Sequence, residues 1–433
     1  MAKKPLRTIL VVLCVVVLFG CEPASDNEKQ NQEQVSQQGQ EELFAAEWQM
    51  MSEEIAELGP WLMSQPDVLR EDPQVVLDGY RYLSMLLYAG LKNHLLNADT
   101  DRPKFITNFD DLVGYTGDHR DGIYRTANID PNGTYRVVTR PQGGLPATAT
   151  LQTMTGFWQP GLGGKTVLTK NLYDFSGSSD GSYEIIFSKE QQGVNHFPLD
   201  DIATGILMRE YTADDEKQKP FALTIERIDQ PLTVPKESDS QQSLNKKIDN
   251  AVGMVKVVAT QFLNLTRICR SEINGIKLLE DASAFGGSQE NKYYMGSWEL
   301  DDDEALVIEV KPIEAAYWSI SGLNFWAQGL SHSDIPGEIN NYGAVVDPDN
   351  YVRIVVSHED SGYANWISTG GLRVGLLLGR FNFIKEEEQV TYSKINIQEI
   401  EEVMASNSAK VTPEERVRQL EKTRMGVLRR YNR

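Results

Sequence analysis

The chain has 433 residues, 40% apolar, 24% charged and 9% aromatic, and its 62 acidic against 42 basic side chains leave a formal charge of −20. That apolar content over that length supports two or three units with their own cores. So acidic a chain repels nucleic acid and anionic lipid, which excludes a nucleic-acid partner and electrostatic membrane binding from its expected roles.

At the start, Lys3, Lys4 and Arg7 precede the apolar run Ile9–Phe19, which ends in Leu18-Phe19-Gly20-Cys21. A basic opening, a short apolar stretch and a small residue before the cut make a secretory leader. The run falls short of the ~20 residues that span a bilayer. Residues 1–20 are therefore expected to be a lipoprotein signal peptide, with the Cys21 thiol as lipidation site and membrane anchor. Glu22 follows in place of Asp, and similarity to Gram-negative sorting rules points to the outer membrane, facing the periplasm. Cleavage removes Lys3, Lys4 and Arg7 and takes the charge from −20 to −23. Cys269 is then the one cysteine besides the anchor, so no internal disulfide is expected.

Residues 21–42, rich in Gln, Glu, Asn and Ser, predict a flexible tether. Residues 43–100 predict helices: Leu43, Trp48, Met51, Ile55 and Leu58 make one stripe ended by Gly59-Pro60. A second helix is predicted over Pro73 to Leu96, with Asp72 as N-cap. Residues 101–240 predict a first β unit with strands at Thr134–Thr139, Thr150–Thr155, Ser182–Phe187 and Ala222–Arg227, between Gly, Pro and Asn/Asp turns. A linking helix over 241–285 places Cys269 on its buried stripe, as a small apolar residue. Residues 286–390 predict a second β unit, with strands at Ala305–Val310, Tyr317–Ser321, Gly343–Val346, Val352–Ser357 and Gly375–Leu378. Asp347-Pro348-Asp349-Asn350 reads as a turn and not as a calcium loop, because the alternating oxygen ligands stop at Tyr351. Residues 391–433 predict a charged, solvated C-terminal helix capped at Thr412-Pro413-Glu414-Glu415. No long internal repeat with a fixed period is visible, which argues against a solenoid or propeller. The pattern amounts to an α+β fold of antiparallel β-sandwich or jelly-roll units with flanking helices.

Familiar chemistry is mostly excluded. Gln159-Pro160-Gly161-Leu162-Gly163-Gly164-Lys165-Thr166 ends like a phosphate loop, yet Gln159 stands where that loop needs glycine and Pro160 lacks an amide donor. It reads as a turn between strands. The five histidines never fall at metal-ligand spacing and no cysteine pair exists, so neither metal nor cofactor is expected. No Gly-x-Ser-x-Gly elbow is present.

Two polar clusters remain. In the first, His119 and Asp121 lie beside Arg120 and Tyr124, able to bind an anion or move a proton, although loops gather such residues anyway. In the second, Arg353, His358, Asp360, Asn365 and Trp366 follow Tyr317, Trp318 and Trp326. Aromatic faces beside Asn and Arg suit a sugar or other amphipathic ligand, although sandwich cores also consume aromatics.

The runs Ala305–Pro312, Tyr317-Trp318, Val352–Asp360 and Asn365–Gly370, with Asn132–Tyr135, Asn195–Leu199 and Arg209-Glu210-Tyr211 upstream, resemble the bacterial domain-of-unknown-function family twelve-fourteen. The resemblance implies β-sandwich or jelly-roll units and no established reaction. His119-Arg120-Asp121 stands where members show Asn-Pro-Asp, and Gly371-Leu372 where many show Gly-His, which lowers the expectation of catalysis. The reading that results is a lipid-anchored envelope binding module for an amphipathic small molecule or glycan. A hydrolase or lyase using His119 or His358 with Asp121 or Asp360 is the alternative, and a structural assembly partner a third. Oligomeric state is not legible.

Overall fold

A computed structural model describes residues 26–110, 112–214, 216–231, 239–312, 314–330, 333–385 and 389–431, with side chains from residue 45 to residue 430. The leader 1–20, Cys21 and His332 lie outside the described residues. The chain divides into two compact units, residues 1–52 and 53–433.

Helix α1 spans Asp26–Met63. It corrects two expectations. The stretch read as a tether is helical from Asp26, because Gln and Glu are good helix formers even without an apolar face. The helix also runs through Gly59-Pro60, where Leu58 and Leu62, one turn apart, are both buried. Burying each contributes ~1.5–3 kcal/mol, enough to offset a proline cost of ~3. Helix α2, Pro73–Gly90, begins as read, with the Asp72 carboxylate accepting from Gln74 and Val75 amides. It passes into a π-helical turn at Leu91–Leu96.

Nine strands follow: β1 Ile106–Thr107, β2 Gly122–Asn128, β3 Tyr135–Arg140, β4 Thr148–Met154, β5 Thr166–Asn171, β6 Tyr183–Ser188, β7 His196–Pro198, β8 Gly205–Tyr211 and β9 Ala222–Arg227. They form sheets of order β1-β2-β8-β4-β5 and β7-β6-β3-β9. Tyr135, Val137, Ile185 and Phe187 of one meet Leu151, Ile206 and Met208 of the other in a sandwich core. Helix α3, Gln241–Cys269, leads to the next strands. These are β10 Gly275–Leu279, β11 Asn291–Glu299, β12 Glu304–Val310, β13 Tyr317–Leu323, β14 Glu338–Asn340, β15 Val352–Ser357, β16 Trp366–Ser368, β17 Val374–Asn382 and β18 Val390–Asn396. Their sheets are β10-β11-β17-β13-β14 and β16-β15-β12-β18. A short α4, Ile400–Val403, and α5, Pro413–Tyr431, close the chain. The molecule is thus an α+β fold with β-sandwich units and flanking helices.

The second strand set repeats the first, strand for strand and sheet for sheet. The starts keep one offset: Gly122 and Asn291, Tyr135 and Glu304, Thr148 and Tyr317. Each set also has one parallel pair, β6 with β7 and β15 with β16. The chain therefore holds a long internal duplication that its sequence does not display. The strands also redraw the expected boundaries. The second set opens at Gly275, inside the stretch read as linking helix, and ends at Asn396, inside the stretch read as C-terminal helix. Gly343–Val346 is a loop, since the Asn340 side chain accepts from the Tyr342 and Gly343 amides and turns the chain out of the sheet.

The two five-stranded sheets also share a third core with the helices, which is why β8 and β17 are buried on both faces. In β17, Leu377 and Phe381 join the second sandwich core while Leu376 and Leu378 join the shared one. A strand covered on both sides reads as a continuous apolar run. Cys269 belongs to the shared core, where burial pushes its thiol up to about 12 and keeps it unreactive.

Candidate functional site

The shared core is incompletely filled. A cavity of about 60 Å³ lies within it, bounded by β2, β4, β8, β11, β17 and α3. Apolar wall is supplied by Met154, Phe157, Leu207, Phe262, Met295 and Leu378. Polar wall is supplied by Tyr124, Arg209, Tyr293 and Arg380, with Asn108, Thr116 and Thr126.

Strand register explains the polar wall. Tyr124 of β2 stands opposite Arg209 of β8, and Tyr293 of β11 stands opposite Arg380 of β17. These are equivalent places in the two halves, so the duplication sets one Tyr–Arg pair on each side of the void. The pairs cross over it: Arg209 donates to the Tyr293 hydroxyl at 3.1 Å and lies over the Tyr124 ring. Arg380 donates to Ser321 Oγ at 3.2 Å and to the Gly117 carbonyl. Burial pushes the Tyr124 and Tyr211 phenols up, so both stay neutral.

His119 is buried behind Tyr124. Its Nε2 lies 3.1 Å from the Tyr124 hydroxyl and its Nδ1 3.0 Å from Glu338 Oε1. The Tyr317 hydroxyl is 3.0 Å from both Glu338 Oε1 and Asp121 Oδ2, and Asn340 donates to Asp121. Burial alone would raise the Glu338 carboxyl, but the His119 ring, with Arg120 and Arg380, holds it well below the usual carboxylate range. Glu338, Asn340 and Arg120 also line an open cleft of about 380 Å³, walled on its far side by Gln419 and Thr423 of α5. Tyr124, His119 and Glu338 thus connect cavity to cleft.

The first sequence cluster is therefore brought together, although the partner of His119 is Glu338, with Asp121 one hydroxyl away. The second is not. His358 turns its nitrogens to Thr369 Oγ1 and the Leu300 carbonyl, and Asp360 pairs with Arg416 of α5. Arg353 is held by Glu309, Asp347 and Asp349, which also occupies the carboxylates of the Asp347–Asn350 turn. Trp318 stacks on Phe381 inside the second sandwich, and Trp326 packs on Tyr82 with its indole donating to the Val75 carbonyl. These two present no face to a ligand, because sandwich cores and helix contacts consume them.

Asn365 and Trp366 are explained by the duplication. The Asn365 amide donates to the Arg353 carbonyl at 3.1 Å, and in the first half the Asn195 amide donates to the Glu184 carbonyl at 3.0 Å. Ser357 and Ser188 each bond a carbonyl two residues on, at 2.7 and 2.6 Å. Both halves use the same device to return the chain into a parallel pair. Trp366 still edges the cleft, with the Arg416 guanidinium over its ring.

Glu338, Arg209, Tyr293 and Arg380 escaped the sequence reading as site residues. The available signal was a lone arginine within an apolar strand run, in Leu376-Leu377-Leu378-Gly379-Arg380. The glycine-rich stretch ending in Lys165-Thr166 is a turn, with Gly161 and Gly163 at positive φ, and it leads into a strand and not a helix. Among the described residues no cluster of His, Cys, Asp or Glu is placed to hold a metal ion, and no helix is long and apolar enough to cross a membrane.

No family model and no curated protein matches the chain. A solved structure of an uncharacterised protein from Burkholderia cenocepacia is similar over 82% of this chain and 98% of that one, with a TM-score of 0.77 and 24% identity. The VPA0106 protein of Vibrio parahaemolyticus aligns over 72% of this chain and 98% of its own, with a TM-score of 0.41 and 13% identity. The first shows that this fold is shared with a bacterial protein of unknown function.

Proposed function

We propose that the protein is an envelope lipoprotein, anchored through Cys21 at the periplasmic face of the outer membrane, that binds an amphipathic small molecule in the cavity shared by its two halves. The observation that carries the binding reading is a cavity in the shared core lined by apolar side chains and by two Tyr–Arg pairs. Protein interiors are close-packed, so a void that keeps charged groups on its wall favours a ligand site. Its volume suits a small organic molecule better than a glycan ring. The leader and Cys21 support the envelope setting.

Native mass spectrometry of the intact protein tests the binding. A small bound mass is expected, and it should vanish in the cavity-filling variant Leu207→Trp. A protein without bound mass, which also binds none of a panel of small amphiphiles, would contradict the reading. For the anchor, the mass of the N-terminal peptide from cells should carry diacylglycerol on Cys21, and an unmodified Cys21 would remove that part.

Acid–base chemistry is the second reading, favoured by Glu338, which lines the cleft with Oε2 lacking a hydrogen-bond partner. Against it, both His119 nitrogens are engaged, which leaves none to face a substrate.

A further inference from the structure

The cavity wall carries two cations, and among the described residues neither is in an ion pair. The acceptors bonded to Arg209 are the Tyr293 hydroxyl and the Gly286 carbonyl, and those bonded to Arg380 are Ser321 Oγ and the Gly117 carbonyl. All are neutral. Arginine keeps its charge at any physiological pH. The buried tyrosines beside it stay protonated and supply no counter-charge. Glu338, whose charge is felt at Arg380, is already bonded to His119. A buried charge with no partner is among the costliest things a fold can hold.

Two donors on the same wall are also unsatisfied. Arg209 Nε and Trp158 Nε1 are buried and have no acceptor. Buried donors without partners are rare in folded proteins. Charge and donors therefore call for one complement, an anion able to accept hydrogen bonds. Most other side chains of the wall are apolar, with Asn108, Thr116 and Thr126 as the further polar ones, and that apolar surface suits an anion that carries a hydrocarbon part. At the allowance of ~10–15 Å³ per water-sized group, the void of about 60 Å³ admits roughly four to six non-hydrogen atoms.

We propose that this cavity binds a short-chain carboxylate, its two oxygens taken by the equivalent arginines Arg209 and Arg380 and its alkyl end set against Met154, Leu207 and Leu378. The proposal rests on the cavity being the ligand site. Guanidinium groups match carboxylate geometry, and two of them at equivalent places match its two equivalent oxygens.

Calorimetric titration of the intact protein, in buffer low in chloride and free of carboxylates, with butyrate, 1-butanol and butylammonium decides it. Butyrate should bind at least tenfold more tightly than 1-butanol, and butylammonium should not bind. Arg209→Gln and Arg380→Gln should each weaken butyrate tenfold or more, while Arg209→Lys should keep part of the affinity with an unchanged near-ultraviolet dichroism spectrum. Equal affinity for butyrate and 1-butanol would overturn the anion assignment and leave the cavity as a ligand site. Chloride competing as strongly as butyrate would overturn the organic part. Failure of all three ligands up to their solubility limits would remove the ligand site and the proposal together. The comparison of ligands on the unaltered chain decides the matter even where an arginine variant does not fold.

Discussion

Among single side chains, Glu338 makes the sharpest demand on the fold, since its buried carboxylate is held ionised by the His119 ring beside it. Its folded value lies below the ordinary 4.5, so its contribution to stability is fully present above that pH and is lost as pH falls through the folded value. Glu338→Gln should therefore cost ~3–5 kcal/mol near neutral pH, because it removes the carboxylate charge that faces the His119 ring and the Arg120 and Arg380 guanidinium groups. That deficit should narrow as pH drops below about 4.5. Denaturant unfolding of both proteins across pH 3 to 7 checks it, and a deficit independent of pH would contradict the buried ionised carboxylate. His119, Asp121 and Tyr124 were legible because they crowd one short stretch of chain at the start of β2. Glu338 was not, since it lies far along the chain in a strand of three residues that carries no periodic signal. Arg209 and Arg380 were hidden for a different reason: only the strand register brings them to one cavity.

Helices and hairpins were legible where local chemistry decides them and hidden where packing does. The Asp72-Pro73 cap of α2 was read directly, and Asp72→Ala should cost about 1 kcal/mol, measured as a shift in the denaturation midpoint. The passage of α1 through Pro60 was hidden, because only the burial of Leu62 overrides the proline. Likewise β18 was hidden beside an acidic run, since its partner β12 lies far back in the chain. The two asparagines of the parallel hairpins give a paired expectation. Asn195→Ala and Asn365→Ala each remove the donor to two backbone carbonyls; the change should cost ~1–3 kcal/mol at the buried Asn365 and less at the half-buried Asn195. Neither should change ligand affinity. Weakened binding in Asn365→Ala, with binding unchanged in Asn195→Ala, would return Asn365 to the site.

Taken whole, the protein is two copies of one sandwich, each leaving an apolar face that only the other copy and the helices cover. Composition and strand content conveyed two β units, whereas the duplication was concealed because the halves share topology and a few anchoring residues more than sequence. Residues 101–240 expressed alone would expose Met154, Leu207 and Tyr211 of the shared core. That fragment should lack fixed near-ultraviolet dichroism and bind hydrophobic dyes; a cooperatively unfolding monomer would show that the halves are independent. The most direct measurement of the central claim is a crystal structure of the intact protein grown with butyrate. The account predicts density for one small molecule bounded by Tyr124, Arg209, Tyr293 and Arg380. A collapsed void, or guanidinium groups each paired with a carboxylate of the chain itself, would contradict it.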